Sequence, residues 1–282
     1  MTMEQRIITA EQLRAFAHHL LEEEKSPATI EKYLRDLRRF RAFAAGKPVS
    51  KAMVLEYKRS LEQQYAPRSV NSVLGAVNTF LRFVHWEELR VKQLRLQKQA
   101  YCPDEKELTR AEYTALVREA GKRKNNRLAL ILQTICSCGI RVSELKFITV
   151  EAAKKGEAVV SCKGKIRKIF LVSALRRKLL SYAGQQNISS GCIFVTRSGR
   201  PMDRSNIWRE MKALCEEAGV SPTKVFPHNL RHLFARIFYG LEKDIAKLAD
   251  VLGHSNINTT RIYIITTGAE HRQKMENMRL II

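Results

Sequence analysis

The chain has 282 residues, with 50 lysines and arginines against 28 acids, a formal charge of +22, and 45% hydrophobic residues. That is enough apolar material for one large or two ordinary domains, and so basic a surface suits a polyanion, with DNA the natural candidate. No run approaches the roughly 18 apolar residues of a membrane span. The start Met1-Thr-Met-Glu-Gln-Arg6 lacks a signal-peptide core, and six scattered cysteines without a C-x-x-C pair indicate neither a zinc cluster nor a disulfide framework. A cytoplasmic protein with reduced thiols and no membrane partner is expected.

Residues 11–85 read as helices throughout. Ser26-Pro27 is a start signal, with proline at the first helical position. After it Ile30, Tyr33, Leu34, Leu37, Phe40 and Phe43 recur at intervals of three and four, one apolar stripe of an amphipathic helix. A third helix around 50–64 follows. A fourth, opened by Pro67, carries Val70, Val73, Leu74, Val77, Phe80, Leu81 and Val84 on one side. Between the stripes stand Lys32, Arg35, Arg38, Arg39, Arg41, Arg68 and Arg82, which as a group fit a face that meets a sugar-phosphate backbone. This makes residues 1–88 a helical DNA-binding domain. From 89 to 107 the period is lost and Arg90, Lys92, Arg95, Lys98 and Lys106 remain, as in a basic linker able to lie along DNA.

A second domain, 108–282, opens at Thr109-Arg-Ala-Glu112, a capping box. Helices near 110–121 and 126–137 follow. The second of these, with Leu128, Leu130, Ile131, Leu132 and Ile135, is expected to be buried on most sides and to end at Gly139, a residue tolerant of positive φ. Arg141 comes next in an apolar setting, where a guanidinium must have a partner such as Glu144. Ala158–Cys162 and Arg167–Val172 read as two β runs joined by Lys163-Gly-Lys165-Ile166, and Cys192–Thr196 as a third. Helices dominate from there to the end, giving a mainly α chain with a small antiparallel sheet.

The chemistry lies in His228-Asn-Leu-Arg231-His232, Leu252-Gly253-His254 and Thr260-Arg-Ile-Tyr263, together with Arg141. Two arginines can clamp the non-bridging oxygens of one phosphodiester, and His228 and Arg231, three apart on a predicted helix, project from the same side. Fixed cations stabilise the charge of a pentacoordinate phosphorus more than the ground state. A tyrosine hydroxyl can attack that phosphorus, but with an ordinary pKa near 10 it needs a proton acceptor, and the imidazole of His228 suits general-base work. His232, with Phe234 and Phe238 nearby, is read as a packing histidine pointing elsewhere. Neither a phosphate-binding loop of the G-x-x-x-x-G-K-[ST] type nor an HExxH motif is present, so the reading calls for no cofactor and no metal.

The order Arg141, hairpin lysine, His228-x-x-Arg231, Leu252-Gly253-His254 and Tyr263, nine residues after that histidine, resembles the tyrosine site-specific recombinase (phage integrase) family in its Xer-like two-domain form. The resemblance runs from about residue 10 to 280. It implies an amino-terminal four-helix, SAM-like core-binding domain and an α+β catalytic domain. It also implies a DNA strand transferase, in which Tyr263 forms a 3′-phosphotyrosine, His254 donates a hydrogen bond to the phosphate, and a hairpin lysine protonates the leaving 5′ oxygen. The family commonly writes that turn Gly-Lys-Gly-x-Lys. Here Cys162-Lys163-Gly164-Lys165-Ile166 is one residue shorter, so either Lys163 or Lys165 fits, and Lys163 is favoured because it precedes the glycine. The implied partners are double-stranded DNA carrying specific sites and three further copies of the chain, in a homotetramer joined by the apolar tail Ala269–Ile282. The family's larger phage members carry an extra amino-terminal arm-binding domain, for which no room is expected here. Relaxation of DNA in the manner of a type IB topoisomerase, and DNA binding without catalysis, are the alternatives.

Overall fold

The computed structural model describes residues 6–96, 107–162, 165–263, 272 and 275–278. Lys163, and the tail from Ala269 apart from Arg272 and Met275–Met278, lie outside the described residues. The chain divides into two compact units, Met1–Lys98 and Gln99–Ile282.

The first unit holds α1 (Ala10–Glu22), α2 (Pro27–Ala44), α3 (Lys51–Gln64) and α4 (Pro67–Phe83). Each start is chemically marked: Thr9 and Gln12 form a capping box on α1, and Ser26 caps α2 ahead of Pro27. The apolar stripes meet in one core, where Phe16, Leu37, Phe40, Leu74 and Phe80 are wholly buried. Arg35, Arg38, Arg39, Arg41, Arg68 and Arg82 are exposed, whereas Lys32 is half-buried and bonded to Asp36 and to the Ser72 carbonyl. Part of the segment expected to be linker is held against α4. Asn78 both donates to and accepts from the peptide of Val91 (2.8 and 3.0 Å), and Asn71 does the same with Leu94 (2.9 and 2.7 Å). A side-chain amide carries one donor face and one acceptor face, so it substitutes for a neighbouring strand.

The second unit runs α5 (Arg110–Lys122), α6 (Asn126–Cys138), a short tight turn of helix at Val142–Phe147, α7 (Val150–Lys155), β1 (Glu157–Cys162), β2 (Lys165–Phe170), α8 (Ser173–Gln185), α9 (Arg204–Ala213), α10 (Pro227–Glu242), α11 (Ile245–Leu252) and α12 (Ile257–Arg261). The Thr109–Glu112 capping box forms as read. α6 buries Leu128, Leu130, Ile131, Leu132 and Ile135 at the centre of the larger core, and it ends on Gly139 at φ +61°. A Cβ there would come within 2.3 Å of the Phe234 ring, so both the conformation and the contact require glycine.

β1 and β2 pair antiparallel, with Val160 opposite Arg167 and Ala158 opposite Ile169. β2 starts earlier than expected, and Val172 precedes α8 as its cap instead of ending the strand. Cys192–Thr196 is not a strand. Its two ends make single bridges to different partners, Thr149↔Cys192 and Val195↔Pro201, while Ile193 and Phe194 fill the core. Apolar β-branched content placed this segment inside, but no continuous neighbour offers it a ladder. No helix among the described residues is long and apolar enough to cross a membrane.

Candidate active site

α10 supplies the centre. Its first residue is Pro227, and His228, Arg231, His232 and Ala235 follow at the three- and four-residue spacing that lines one face. Arg231 is 1% exposed, the largest fully buried side chain of the molecule among the described residues. Its guanidinium donates from Nη1 to the Gly139 carbonyl (2.5 Å) and from Nη2 to the Leu252 carbonyl (2.7 Å), and it meets Nε2 of His254 at 2.9 Å. The first two acceptors are carbonyls at the carboxyl ends of α6 and α11, groups a helix leaves without an internal partner. Burial lowers the Arg231 pKa to about 10, with Arg141 adding to the fall and Tyr263 opposing it, so the group stays charged at neutral pH. Its Nε–H is buried with no hydrogen-bond partner among the described residues.

Tyr263 follows α12 and is 4% exposed, packed with Ala235, Leu248 and Leu252. Its hydroxyl lies 3.5 Å from Nε2 of His228. Burial lowers the His228 pKa, and the positive charges of Arg231, Arg141 and Arg204 lower it further. A neutral ring therefore faces the phenol, as a proton acceptor must.

The phenol ring is also flanked by two further imidazoles, His232 at 4.2 Å and His254 at 5.4 Å between centroids. His232 does not point elsewhere, as the sequence reading has it. A residue four places on from His228 lies as near to it around the helix as one three places on, and the two rings meet edge to face at 4.9 Å. It does pack, but against Tyr263.

His254 follows Gly253, which closes α11 at φ +66°. Since a guanidinium only donates, His254 Nε2 accepts from Arg231, and its Nδ1–H then donates to Thr260 Oγ1 at 2.9 Å. Burial, then the charges of Arg231, Arg141 and Arg167 and the nearby His228, lower the His254 pKa to about 4. The ring as placed braces Arg231, and with Nε2 accepting from Arg231 and Nδ1 bonded to Thr260 neither nitrogen is free to donate to a phosphate.

Arg141 follows Gly139-Ile140 and is 38% exposed at its side chain. Its Nη1 donates to Oε1 of Glu144 at 3.0 Å, and its backbone N–H to Oε2 at 2.8 Å. Glu144 is itself 1% exposed and takes a second guanidinium, Arg167 Nη2, at 2.6 Å. Arg141 stands close enough to lower the pKa of His228, Arg231 and His254. The structure thus gathers Arg141, His228, Arg231, His254 and Tyr263. Lys163 lies outside the described residues, and Lys165 is described only as the start of β2.

Arg167 and Thr260 join the site although neither is among the residues expected to carry the chemistry. Arg167 was accessible from the strand period, because it shares the inward register with Ile169, where a charge is out of place. Nothing local marks Thr260; its role depends on where His254 turns.

Two family models match the chain, one described as the phage integrase family over residues 106–269 and the other as the phage integrase N-terminal SAM-like domain over residues 13–88. Tyrosine recombinase XerD of Pseudomonas aeruginosa is 30% identical over 86% of this chain and 88% of its own. Tyrosine recombinase XerA of Pyrococcus horikoshii is 28% identical over 98% of this chain and 96% of its own. Among solved structures, a lambda integrase tetramer bound to a Holliday junction shares the fold, with a TM-score of 0.72 at 16% identity over 90% of this chain and 76% of that one.

Proposed function

This chain belongs to the phage integrase family, and on that footing we propose that it is a site-specific DNA recombinase with Tyr263 as its nucleophile. One observation carries the assignment: the Tyr263 hydroxyl lies 3.5 Å from a neutral His228 and against the buried charge of Arg231. The Tyr263 oxygen attacks the scissile phosphorus and passes its proton to His228. The phosphorus–O5′ bond breaks, the tyrosine keeps the 3′ phosphate, and the leaving 5′ oxygen takes a proton from the hairpin lysine, Lys163 or else Lys165. A 5′-hydroxyl of the partner strand then reverses these steps. The bond energy stays in the phosphotyrosine, so neither ATP nor a metal ion is required.

Arg141 and Arg231 hold the non-bridging oxygens, and the unpaired Nε–H of Arg231 is a donor such an oxygen would satisfy. His254 can donate to the phosphate once Arg231 turns toward it. The ring proton then resides on Nε2, and Thr260, whose hydroxyl both donates and accepts, donates to Nδ1. The assembly is read as a homotetramer on two DNA sites, with the tail Ala269–Ile282 docked on a neighbouring copy; lambda integrase forms a tetramer on a Holliday junction. The relatives named as tyrosine recombinases favour strand exchange over topoisomerase-like relaxation. A competent residue at every candidate position counts against binding without catalysis. A cytoplasmic location fits a DNA substrate.

Incubating the full chain with nicked suicide duplexes, trapping the covalent complex and sequencing the attached DNA end tests the reading and yields the target site. The wild type should form a 3′-linked adduct and Tyr263→Phe none, with DNA binding unchanged. An adduct formed by the phenylalanine variant would overturn the nucleophile assignment.

A further inference from the structure

We propose that Arg167 is a positioning residue, which fixes Arg141 through Glu144 and fixes His254 through the carboxyl end of α11. The inference rests on the reading that Arg141 and His254 act on a phosphate.

Arg167 sits on the inward face of β2, 14% exposed at its side chain. Its two terminal nitrogens hold different parts of the fold. Nη2 donates to Oε2 of Glu144 at 2.6 Å, and Nη1 donates to the Val251 carbonyl at 2.7 Å. The other oxygen of Glu144 holds the Arg141 guanidinium. A single buried carboxylate therefore binds both arginines: Oε1 takes the Arg141 guanidinium, and Oε2 takes Arg167 beside the backbone N–H of Arg141. Removing Arg167 leaves Oε2 with the Arg141 backbone N–H alone, so the carboxylate loses the tie to β2 that fixes its direction.

At α11 the same logic applies to carbonyls. Val251 and Leu252 lie in the last turn, where the helix supplies no partner, and Arg167 takes one carbonyl while Arg231 takes the next. Gly253 and His254 follow at once. The histidine is therefore suspended from two guanidinium groups, one on β2 and one on α10. Gly253 completes the fit: a Cβ there would lie 2.5 Å from Cδ of Arg167 and 2.8 Å from its Nε. Only glycine lets the arginine pass. β2 also begins at Lys165, two residues after Lys163, so one side chain links the hairpin that carries the candidate acid to both arms of the phosphate site. A planar fork can span two acceptors in fixed directions; the single ammonium of a lysine on a flexible stem cannot.

The test uses the full chain and the suicide duplex carrying its own trapped site. Arg167→Met should slow single-turnover adduct formation about 100-fold, the loss that a misplacement of about 1 Å produces, with the Kd for the same duplex within about threefold. Arg167→Lys should recover little of the rate. Gly253→Ala should show a similar loss, and the double variant with Arg167→Met should lose less than the product of the two single losses, since both disturb the packing of Arg167 against the end of α11.

A readout without DNA separates this inference from the reading beneath it. His254 faces Arg231, Arg141, Arg167, His228 and Tyr263, so by NMR its pKa should rise in Arg167→Met and stay low in Arg167→Lys. Wild-type cleavage by either Arg167 variant, or a loss confined to DNA affinity, overturns the inference. Failure of the wild type to form any adduct, with the His254 shift present, sinks the nucleophile reading instead. If Arg167→Met does not fold, the lysine and Gly253→Ala variants decide by the same rates.

Discussion

In the amino-terminal unit the interior between α1 and α4 is aromatic and aliphatic, and the one acid buried there among the described residues, Asp36, is answered at the rim by Lys32 at 2.7 Å. The carboxyl unit places Glu144, Arg231 and Thr260 out of water and ties them to helix ends, to a strand and to one another. A buried ion pair is weak evidence for stability, because desolvation offsets most of the Coulombic gain. The second unit therefore carries a polar interior that its fold alone does not require, and polar groups held rigidly out of water are what a charge-separating reaction needs. Apart from Asp36, the charge of the first unit among the described residues lies at the rim or the surface, where it can attract a polyanion but not catalyse its cleavage.

The strongest attempt to break this contrast is Arg231→Lys. One ammonium cannot reach the Gly139 carbonyl, the Leu252 carbonyl and His254 together, so the phosphate site loses a preorganised donor. Adduct formation should fall on the order of 100- to 1,000-fold, while affinity for the same DNA changes little. Single-turnover cleavage beside equilibrium binding measures both. A lysine variant that cut at close to the wild-type rate would show that the buried network serves packing alone.

Next in size is the response to pH. His232 and His254 have folded-state values of about 4, and His228 is lowered as well, in each case by burial first. An unfolded histidine takes up its proton near 6.5, so between about 6.5 and 4 the unfolded chain binds protons that the folded chain refuses. The stabilisation is complete above that window and declines as pH falls through it. Calorimetry should show the carboxyl unit's Tm dropping between pH 7 and 5. At the same time the cleavage rate should stay level from pH 8 to 6.5, because His228 remains an acceptor. A rate already halved at pH 6.5 would mean that His228 titrates like an exposed imidazole.

Much of this contrast was legible in the chain, for reasons that differ between residues. The α2 stripe and the Thr109–Glu112 capping box depend on neighbours within four positions, so spacing alone places them. The same helical arithmetic pairs His228 with Arg231 and applies equally to His232, four places on, whose ring meets that of His228. The inward side of Arg167 follows from the two-residue alternation with Ile169, but its partners Glu144 and Val251 lie 23 and 84 residues away and no local pattern names them. The third β run failed for the opposite reason. Burial can be read from Ile193 and Phe194, but a ladder needs a partner that composition does not name. The acceptor role of His254 Nε2 depends on Arg231, 23 residues away in the chain, and no local pattern encodes it.

The smallest effect should come from the surface of the first unit. Arg38 and Arg41, three apart and both exposed on α2, share one side of that helix. If the basic face of this unit lies along DNA, Arg38→Gln and Arg41→Gln each remove one phosphate contact. The log–log dependence of affinity on salt should then flatten by about 0.9 per contact. At saturating DNA the cleavage rate should be unchanged, because neither side chain belongs to the phosphate site. Titrations of both variants at several salt concentrations, alongside Arg231→Lys, place the two units on separate axes. An unchanged slope would move the DNA-facing surface to another side of the helical unit, and a slower chemical step would dissolve the division between steering charge and catalytic charge.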